Sequence, residues 1–474
     1  MAKSLLERAY DPEAFRELGK SLVDTLAGHL HAAQNGRGKV LDYRDAADEL
    51  AFWKSFPEKN SSFAAWTEEV LRHTTQVHHP RYMGHQVAPP LPLASLAALL
   101  GEFLNNGMAV YEMGMAPTAM ERLVTDWLCD RAGFGPDARG FLTSGGTLAN
   151  LTALLAARRA RGRDDVWNRG YSGRQAILVG EAAHYCIDRA ARIMGMGRQG
   201  VIRVPVDAGY RMRTDELHRL YNQALADGLE PIALVGSAPS TATGSYDPIE
   251  ELADFCTSRD LWLHIDGAHG GSALLSEKYR GLMRGVHRAD SLVIDGHKML
   301  GLPVLTTALL FRKGSVSYTT FSQEAEYLLT ETQEEDWYNL AKRTFECTKL
   351  TSAFCWHAVI SQYGESVFPA YLDRQYDLAR EFAGMIRQRP NWELAVSPQS
   401  NIVCFRWVPP GAGKEVCNEI NARIRGEILK EGRFYIVQTQ LNGLTFLRTS
   451  LMNPFTTREH LEELLETCEK YGEA

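Results

Sequence analysis

Short apolar runs separated by stretches of helical spacing dominate the middle of the chain. Residues 176–180, 201–204, 232–236, 261–265, 292–294 and 306–311 have the length and apolar density of buried strands. Intervening segments such as Thr214 to Ala226 have helical composition. This alternation predicts an α/β fold with a mostly parallel sheet, in which ligands gather at the carboxyl ends of the strands. Earlier in the chain, Asp11-Pro12-Glu13 supplies an N-cap, a first-turn proline and a first-turn acid. Phe15, Leu18, Leu22, Leu26 and Leu30 then trace an apolar stripe that Asn35-Gly36-Arg37-Gly38 closes. A stripe so early has little of its own chain to cover it, which suggests packing on a partner subunit. From Ala116 to Arg131, Met120, Leu123, Trp127 and Leu128 share helical spacing, with Glu121 on a different face. After about Gly364, helix patterns at 371–387, 414–430 and 460–471 and strand patterns at 402–407 and 446–450 predict a smaller α+β domain. The expected division is a helical segment over 1–85, a large domain over 86–364 and a small C-terminal domain over 365–474.

Composition narrows the class. At 474 residues the chain exceeds the usual single domain and has ample material for a core. A formal charge of -7 gives no basic footprint for nucleic acid or an anionic membrane. The longest apolar stretch, near residues 87–100, is interrupted by Pro89, Pro90 and Pro92, which argues against a membrane span. Met1 to Glu13 is charged from its start and shows no secretory signal, so the expected location is cytoplasmic. Eight scattered cysteines without a CxxC pair fit reduced thiols rather than a disulfide framework or a zinc site, and no metal is expected.

Candidate chemistry collects where the strands end. His184-Tyr185 follows the first of the runs above, Ser240 to Gly244 follows the third, Asp266 the fourth, and Asp295-Gly296-His297-Lys298 the fifth. A lysine and an aspartate just past strand ends suit pyridoxal 5'-phosphate (PLP). The amine can condense with the aldehyde, and the carboxylate can hold the pyridine nitrogen protonated. Ser144-Gly145-Gly146-Thr147 opens a long helical run, and small residues there let backbone N–H groups approach a phosphate. Each signal alone has a plainer reading: a solvated loop after a strand, a turn at Asp-Gly, an N-cap at Ser-Gly-Gly-Thr. The loop His79 to Gln86 has the composition of a pocket mouth. The stretch Thr319 to Leu340 carries six carboxylates and no lysine or arginine, which reads as a mobile loop able to serve as a lid.

Taken together and in order, Thr143 to Thr147, His184-Tyr185, Asp266 to Gly271 and Asp290-Ser291 through His297-Lys298 resemble the group II PLP-dependent amino-acid decarboxylases. That family includes the glutamate, cysteine sulfinate, aspartate, diaminobutyrate and aromatic amino-acid decarboxylases. The likeness runs from about His79 to Arg448 and Met452-Asn453-Pro454. It implies a fold of the type I PLP-dependent transferase kind and a homodimer whose subunits share active sites. Residue by residue, the resemblance implies that Lys298 holds the cofactor covalently and that Asp266 partners its pyridine nitrogen. His184 would stack on one ring face, Ala268 would pack on the other, and Thr241 would lie near the ring substituents. Gly145, Gly146, Thr147 and His297 would hold the phosphate, with Asp295 close by. Tyr327 matches a catalytic tyrosine, and Arg448, His85 and Gln86 match substrate-facing positions.

The chain also departs from many relatives. Gly296 stands where they have proline, His269 where they have an aromatic residue, Met299 where they have tryptophan and Pro239-Ser240 where they have Gly-Thr. His85 replaces a substrate-facing glutamine of the glutamate decarboxylases. His184-Tyr185 and Met194 to Gly197 look more like the glutamate and diaminobutyrate branches than the aromatic one. The expected reaction is decarboxylation of an L-amino acid, leaning to acidic or diaminobutyrate-type substrates. An aromatic amino-acid decarboxylase, an aminotransferase or aldehyde-forming enzyme of the same fold, and a non-catalytic PLP-binding scaffold remain open as alternatives.

Overall fold

The computed structural model of the protein describes residues 3–59, 62–171, 173–321 and 336–473. Contacts divide the chain into two units, one of residues 1–85, 384–395 and 404–474, the other of 86–383 and 396–403.

The second unit is built on seven strands: β1 (Arg139–Thr143), β2 (Gln175–Gly180), β3 (Val201–Val204), β4 (Glu230–Ser237), β5 (Trp262–Asp266), β6 (Ser291–Asp295) and β7 (Thr307–Phe311). They lie in the order β1-β7-β6-β5-β4-β2-β3. The β2, β3, β4, β5 and β6 pairings are parallel, and β7 runs antiparallel to both β1 and β6. The mostly parallel sheet is therefore as expected. Register sets Ser237 opposite Asp266, and Thr307 opposite both Asp295 and Thr143. These residues share one rim, where the parallel strands end and β7 begins.

The helix Gly146–Arg161 packs on the sheet through Ala149, Ala153, Ala156 and Ala157, all fully buried within the apolar core that includes Ile177, Val179, Val235 and Val293. Small side chains on that face let the helix approach closely, so its first turn stands over the rim. The helix Met115–Ala132 corrects the expected stripe. Leu123 is 61% exposed, whereas Thr118, Glu121, Val124, Thr125 and Leu128 are buried. The cause is a buried ion pair: Lys349 Nζ lies 2.6 Å from Glu121 Oε1, which also accepts the Leu142 N–H at 3.0 Å. A carboxylate paired in this way through one oxygen turns inward and ties the helix to β1.

In the first unit, Pro12–Gln34 is a helix capped by Asp11 at one end and Asn35 at the other, and Ala33 alone among its described residues is buried. A four-stranded antiparallel sheet, in the order β10-β11-β9-β8, is made of β8 (Trp392–Leu394), β9 (Ile402–Trp407), β10 (Val437–Leu441) and β11 (Leu444–Ser450), all within this unit except the first two residues of β9. Helices Lys414–Glu431 and Arg458–Glu473 accompany it. Among the described residues, no helix is long and apolar enough to cross a membrane.

Candidate active site

At the rim of the large sheet lies a cavity of about 370 Å³. Gly145, Gly146, Thr147, His184, Thr241, Asp266, Ala268, Asp295, His297 and Lys298 all line it. Each arrives by a local device. Asp266 is the last residue of β5, and its Oδ1 accepts the Ala268 N–H at 3.2 Å, so the turn after the strand fixes the carboxylate. His184 is the N-cap of the helix Tyr185–Ile193, with Nδ1 accepting the Cys186 N–H at 3.3 Å. Gly145 has φ +99°, a left-handed conformation that favours glycine, and the helix after it opens with no side-chain cap. A Cβ at Gly146 would stand 3.2 Å from Asp295 Oδ2 and 3.4 Å from the Ala268 methyl, so this backbone is held close to the site floor.

Asp295 closes β6 and is 2% exposed. Its carboxylate accepts the Thr307 hydroxyl at 2.5 Å and lies 3.0 Å from Lys298 Nζ. Burial disfavours the Lys298 ammonium, but Asp295 and then Asp266 outweigh it and hold the amine above its ordinary value. Burial acts the same way on His184, and here it outweighs the nearby Asp266 and keeps the imidazole below its ordinary value. His297 Nδ1 faces the Thr306 carbonyl at 3.2 Å.

A pH dependence follows from the lysine. An ammonium cannot attack an aldehyde, and the amine is held above the ordinary lysine value of about 10.5, so the rate at which apoprotein takes up PLP should climb with pH throughout the alkaline range and level off only above that value. Asp295→Asn removes the largest charge that raises Lys298 and should move this rise to lower pH. Stopped-flow absorbance of PLP uptake checks both. A pH-independent uptake rate would contradict the assignment.

Gly296 explains one departure from relatives. Its N–H donates to the Thr306 carbonyl at 2.9 Å, and a Cβ there would meet Trp356 at 2.7 Å and Leu302 at 2.9 Å. Proline would lose the hydrogen bond and overfill the space, so Gly296→Pro should cost about 2–4 kcal/mol of apoprotein stability. Denaturant unfolding checks it; an unchanged midpoint would contradict this packing.

The lining also includes Ser144, Pro239 and His269, which belong to the stretches singled out in the sequence, and Asn150, Cys186, Ser237 and Leu305, which were not anticipated as site residues. Behind the loop, Glu346 accepts from the Thr143 hydroxyl at 2.7 Å and from the Ser144 N–H and hydroxyl at 3.1 and 2.7 Å. Burial opposes its charge, but those hydrogen bonds prevail and keep Glu346 below its ordinary value. No local signal marks Glu346, because its partners lie about 200 residues earlier in the chain. Asn150 had one: it stands four residues after Gly146, on the same helix face.

The substrate-facing candidates divide between the units. Gln86 belongs to the second, where the Ala88 N–H donates to the His297 carbonyl at 3.3 Å, and Gln86 Nε2 is buried without a hydrogen-bond partner among the described residues. His85 and Arg448 belong to the first. There Arg448 sits on β11 at 6% exposure, and burial, with the charges of Arg448 and Arg425, pushes His85 below its ordinary value. Tyr327 lies outside the described residues, as does most of the acidic stretch around it.

An uncapped, glycine-lined helix start, an amine, a carboxylate and an imidazole ring within one cavity fit PLP. The family profile of the pyridoxal-dependent decarboxylase conserved domain matches residues 54–408. The chain belongs to this family. As a decarboxylase it is similar to the aromatic-L-amino-acid decarboxylase of Bacillus atrophaeus, at 28% identity over 96% of this chain and 94% of that protein. It is also similar to the L-2,4-diaminobutyrate decarboxylase of Acinetobacter baumannii, at 29% identity over 84% of this chain and 81% of that protein. The apo crystal structure of mouse CSAD shares the decarboxylase's fold, with a TM-score of 0.90 at 23% identity over 97% of this chain and 99% of that one. The fold is that of the type I PLP enzymes, and the protein is a PLP-dependent amino-acid decarboxylase, a carboxy-lyase.

Proposed function

We propose that this decarboxylase acts on an L-amino acid with an acidic side chain, as a cytoplasmic homodimer with shared active sites. The observation that carries the substrate class is the buried Arg448, whose charge, with that of Arg425, bears on His85 and suits a carboxylate. A diaminobutyrate-type substrate is the second reading, favoured by His184-Tyr185 and by the similarity to the Acinetobacter enzyme. The dimer is supported by exposed apolar faces: Phe15, Leu18 and Leu26 on the first long helix, and Leu96, Leu99, Leu100 and Phe103 on the helix Pro92–Leu104.

In this reading Gly145, Gly146, Thr147 and His297 would hold the phosphate of PLP, His184 and Ala268 would flank its ring, and Thr241 would border the ring substituents. When bound, PLP supplies an electron sink for the pair released as CO₂ departs. Lys298 would hold the cofactor through its aldehyde. Asp295 sets the charge of that lysine. Asp266 keeps a proton on the pyridine nitrogen, and Gln86 and His85 orient the substrate. Tyr327 is assigned delivery of the proton to Cα by the resemblance alone.

A screen of CO₂ release across the standard amino acids plus diaminobutyrate, cysteine sulfinate and DOPA tests the substrate class. Highest turnover is expected with aspartate, glutamate or cysteine sulfinate, and an aromatic best substrate would overturn the reading. Arg448→Met should raise KM for the best substrate by roughly 30-fold, the loss of a charge-assisted contact of about 2 kcal/mol. An unchanged KM would remove Arg448 as the carboxylate anchor.

A further inference from the structure

A chain of hydrogen bonds runs from the core of the large sheet into the glycine loop. Trp262 Nε1 donates to Ser291 Oγ at 2.9 Å, and Ser291 Oγ lies 2.8 Å from His264 Nδ1. Across the imidazole, His264 Nε2 lies 2.7 Å from Asn150 Oδ1. Asn150 Nδ2 donates to the Gly146 carbonyl at 2.8 Å and to Cys186 Sγ at 3.6 Å.

For a neutral imidazole, one arrangement of protons satisfies every one of these contacts. Indole only donates and a carbonyl only accepts, so both ends of the chain are fixed. Ser291 takes the Trp262 proton and gives its own to His264 Nδ1. The Asn150 amide nitrogen must face Gly146, which leaves its oxygen to receive the proton on His264 Nε2. His264 is fully buried, and burial pushes it down to about 3, so the ring is neutral and keeps this tautomer. Asn150 thereby joins three elements that bear on the cavity. His264 precedes Asp266 by two residues on β5, Gly146 opens the phosphate-side helix, and Cys186 follows His184 by two.

We propose that Asn150, locked in one orientation by His264, is a positioning residue that fixes the phosphate end of the cavity relative to its ring end. The proposal rests on the PLP site described above. Trp262, Ser291 and His264 do not line the cavity, so they act through Asn150. Without the imidazole donor, the amide can rotate and the Gly146 turn loses its anchor to the sheet. The cost should fall on the ligand's phosphate and spare the aldehyde and ring.

The test titrates apoprotein with PLP and, separately, with pyridoxal, which lacks the phosphate. His264→Leu and Asn150→Ser should each weaken PLP binding roughly tenfold or more while changing pyridoxal binding less than about twofold. His264→Gln, whose amide donates from near the Nε2 position, should retain PLP affinity within about threefold. The double variant His264→Leu/Asn150→Ser should lose no more than Asn150→Ser alone, because both act in one chain. Asn150→Ser keeps the test open if His264→Leu does not fold. Equal losses for PLP and pyridoxal, additive losses in the double variant, or unchanged PLP affinity in Asn150→Ser would overturn the proposal. A wild-type apoprotein that binds neither ligand would overturn the cofactor site itself and this proposal with it.

Discussion

Asp266→Asn is expected to retain bound PLP and lose amine formation by roughly 100-fold or more. The substitution is isosteric, and the carboxamide oxygen can still accept the Ala268 N–H that holds the wild-type side chain at 3.2 Å. What disappears is charge. An opposite charge at hydrogen-bond distance favours the protonated form of its partner by about 1 to 3 pKa units, and each unit corresponds to about 1.4 kcal/mol. The pyridine nitrogen would therefore lose its proton for most of the time, and electrons released at Cα would find a weaker sink. Turnover at saturating PLP and substrate, read beside the visible absorbance of the bound cofactor, checks the result. Near-normal turnover with PLP bound would contradict the role given to Asp266.

Lys298→Ala is expected to reduce turnover further, on the order of 1000-fold or more even at saturating PLP. Lys298 is the one lysine among the described residues lining the cavity, and its Nζ is held 3.0 Å from the buried Asp295 carboxylate. Alanine leaves that carboxylate without its ammonium partner and leaves the aldehyde without its covalent anchor. Cofactor retention would then depend on the non-covalent contacts proposed for the other residues of the cavity. Binding is expected to weaken less than turnover, because the proposed phosphate-holding residues are untouched. Steady-state kinetics with added PLP separates the two effects, and turnover within tenfold of wild type would contradict the assignment.

Much of this organisation is legible in the sequence where the signal is local. β3 and β9 occupy the ranges that their apolar runs mark, and Lys414–Glu431 follows its helical pattern to within a residue. Lys298 and Asp266 are legible because strand, turn and polar residue follow one another directly in the chain. Legibility fails where pairing across the fold decides. β1 is interrupted by Gly140, whose place is set by β7, since a Cβ there would stand 2.6 Å from Leu310 and 3.0 Å from Thr125. β10 reads as polar through Gln438, Thr439 and Gln440, and it is a strand because β11 pairs with it. Glu121 suggests a solvated face until Lys349, 228 residues later, neutralises it inside the core. Asn150 and His264 look like ordinary members of a helix and a strand, because their meeting depends on how closely Gly146–Arg161 packs on the sheet.

The most direct measurement of the central claim is borohydride reduction of the PLP-loaded protein followed by peptide mapping with mass spectrometry. Reduction converts the bond between the cofactor aldehyde and its amine into a stable pyridoxyl label. The label is expected on Lys298 in the wild type and absent from that peptide in Lys298→Ala. A pyridoxyl group on another lysine, or no label with PLP bound, would contradict the placement of the chemistry at the end of β6.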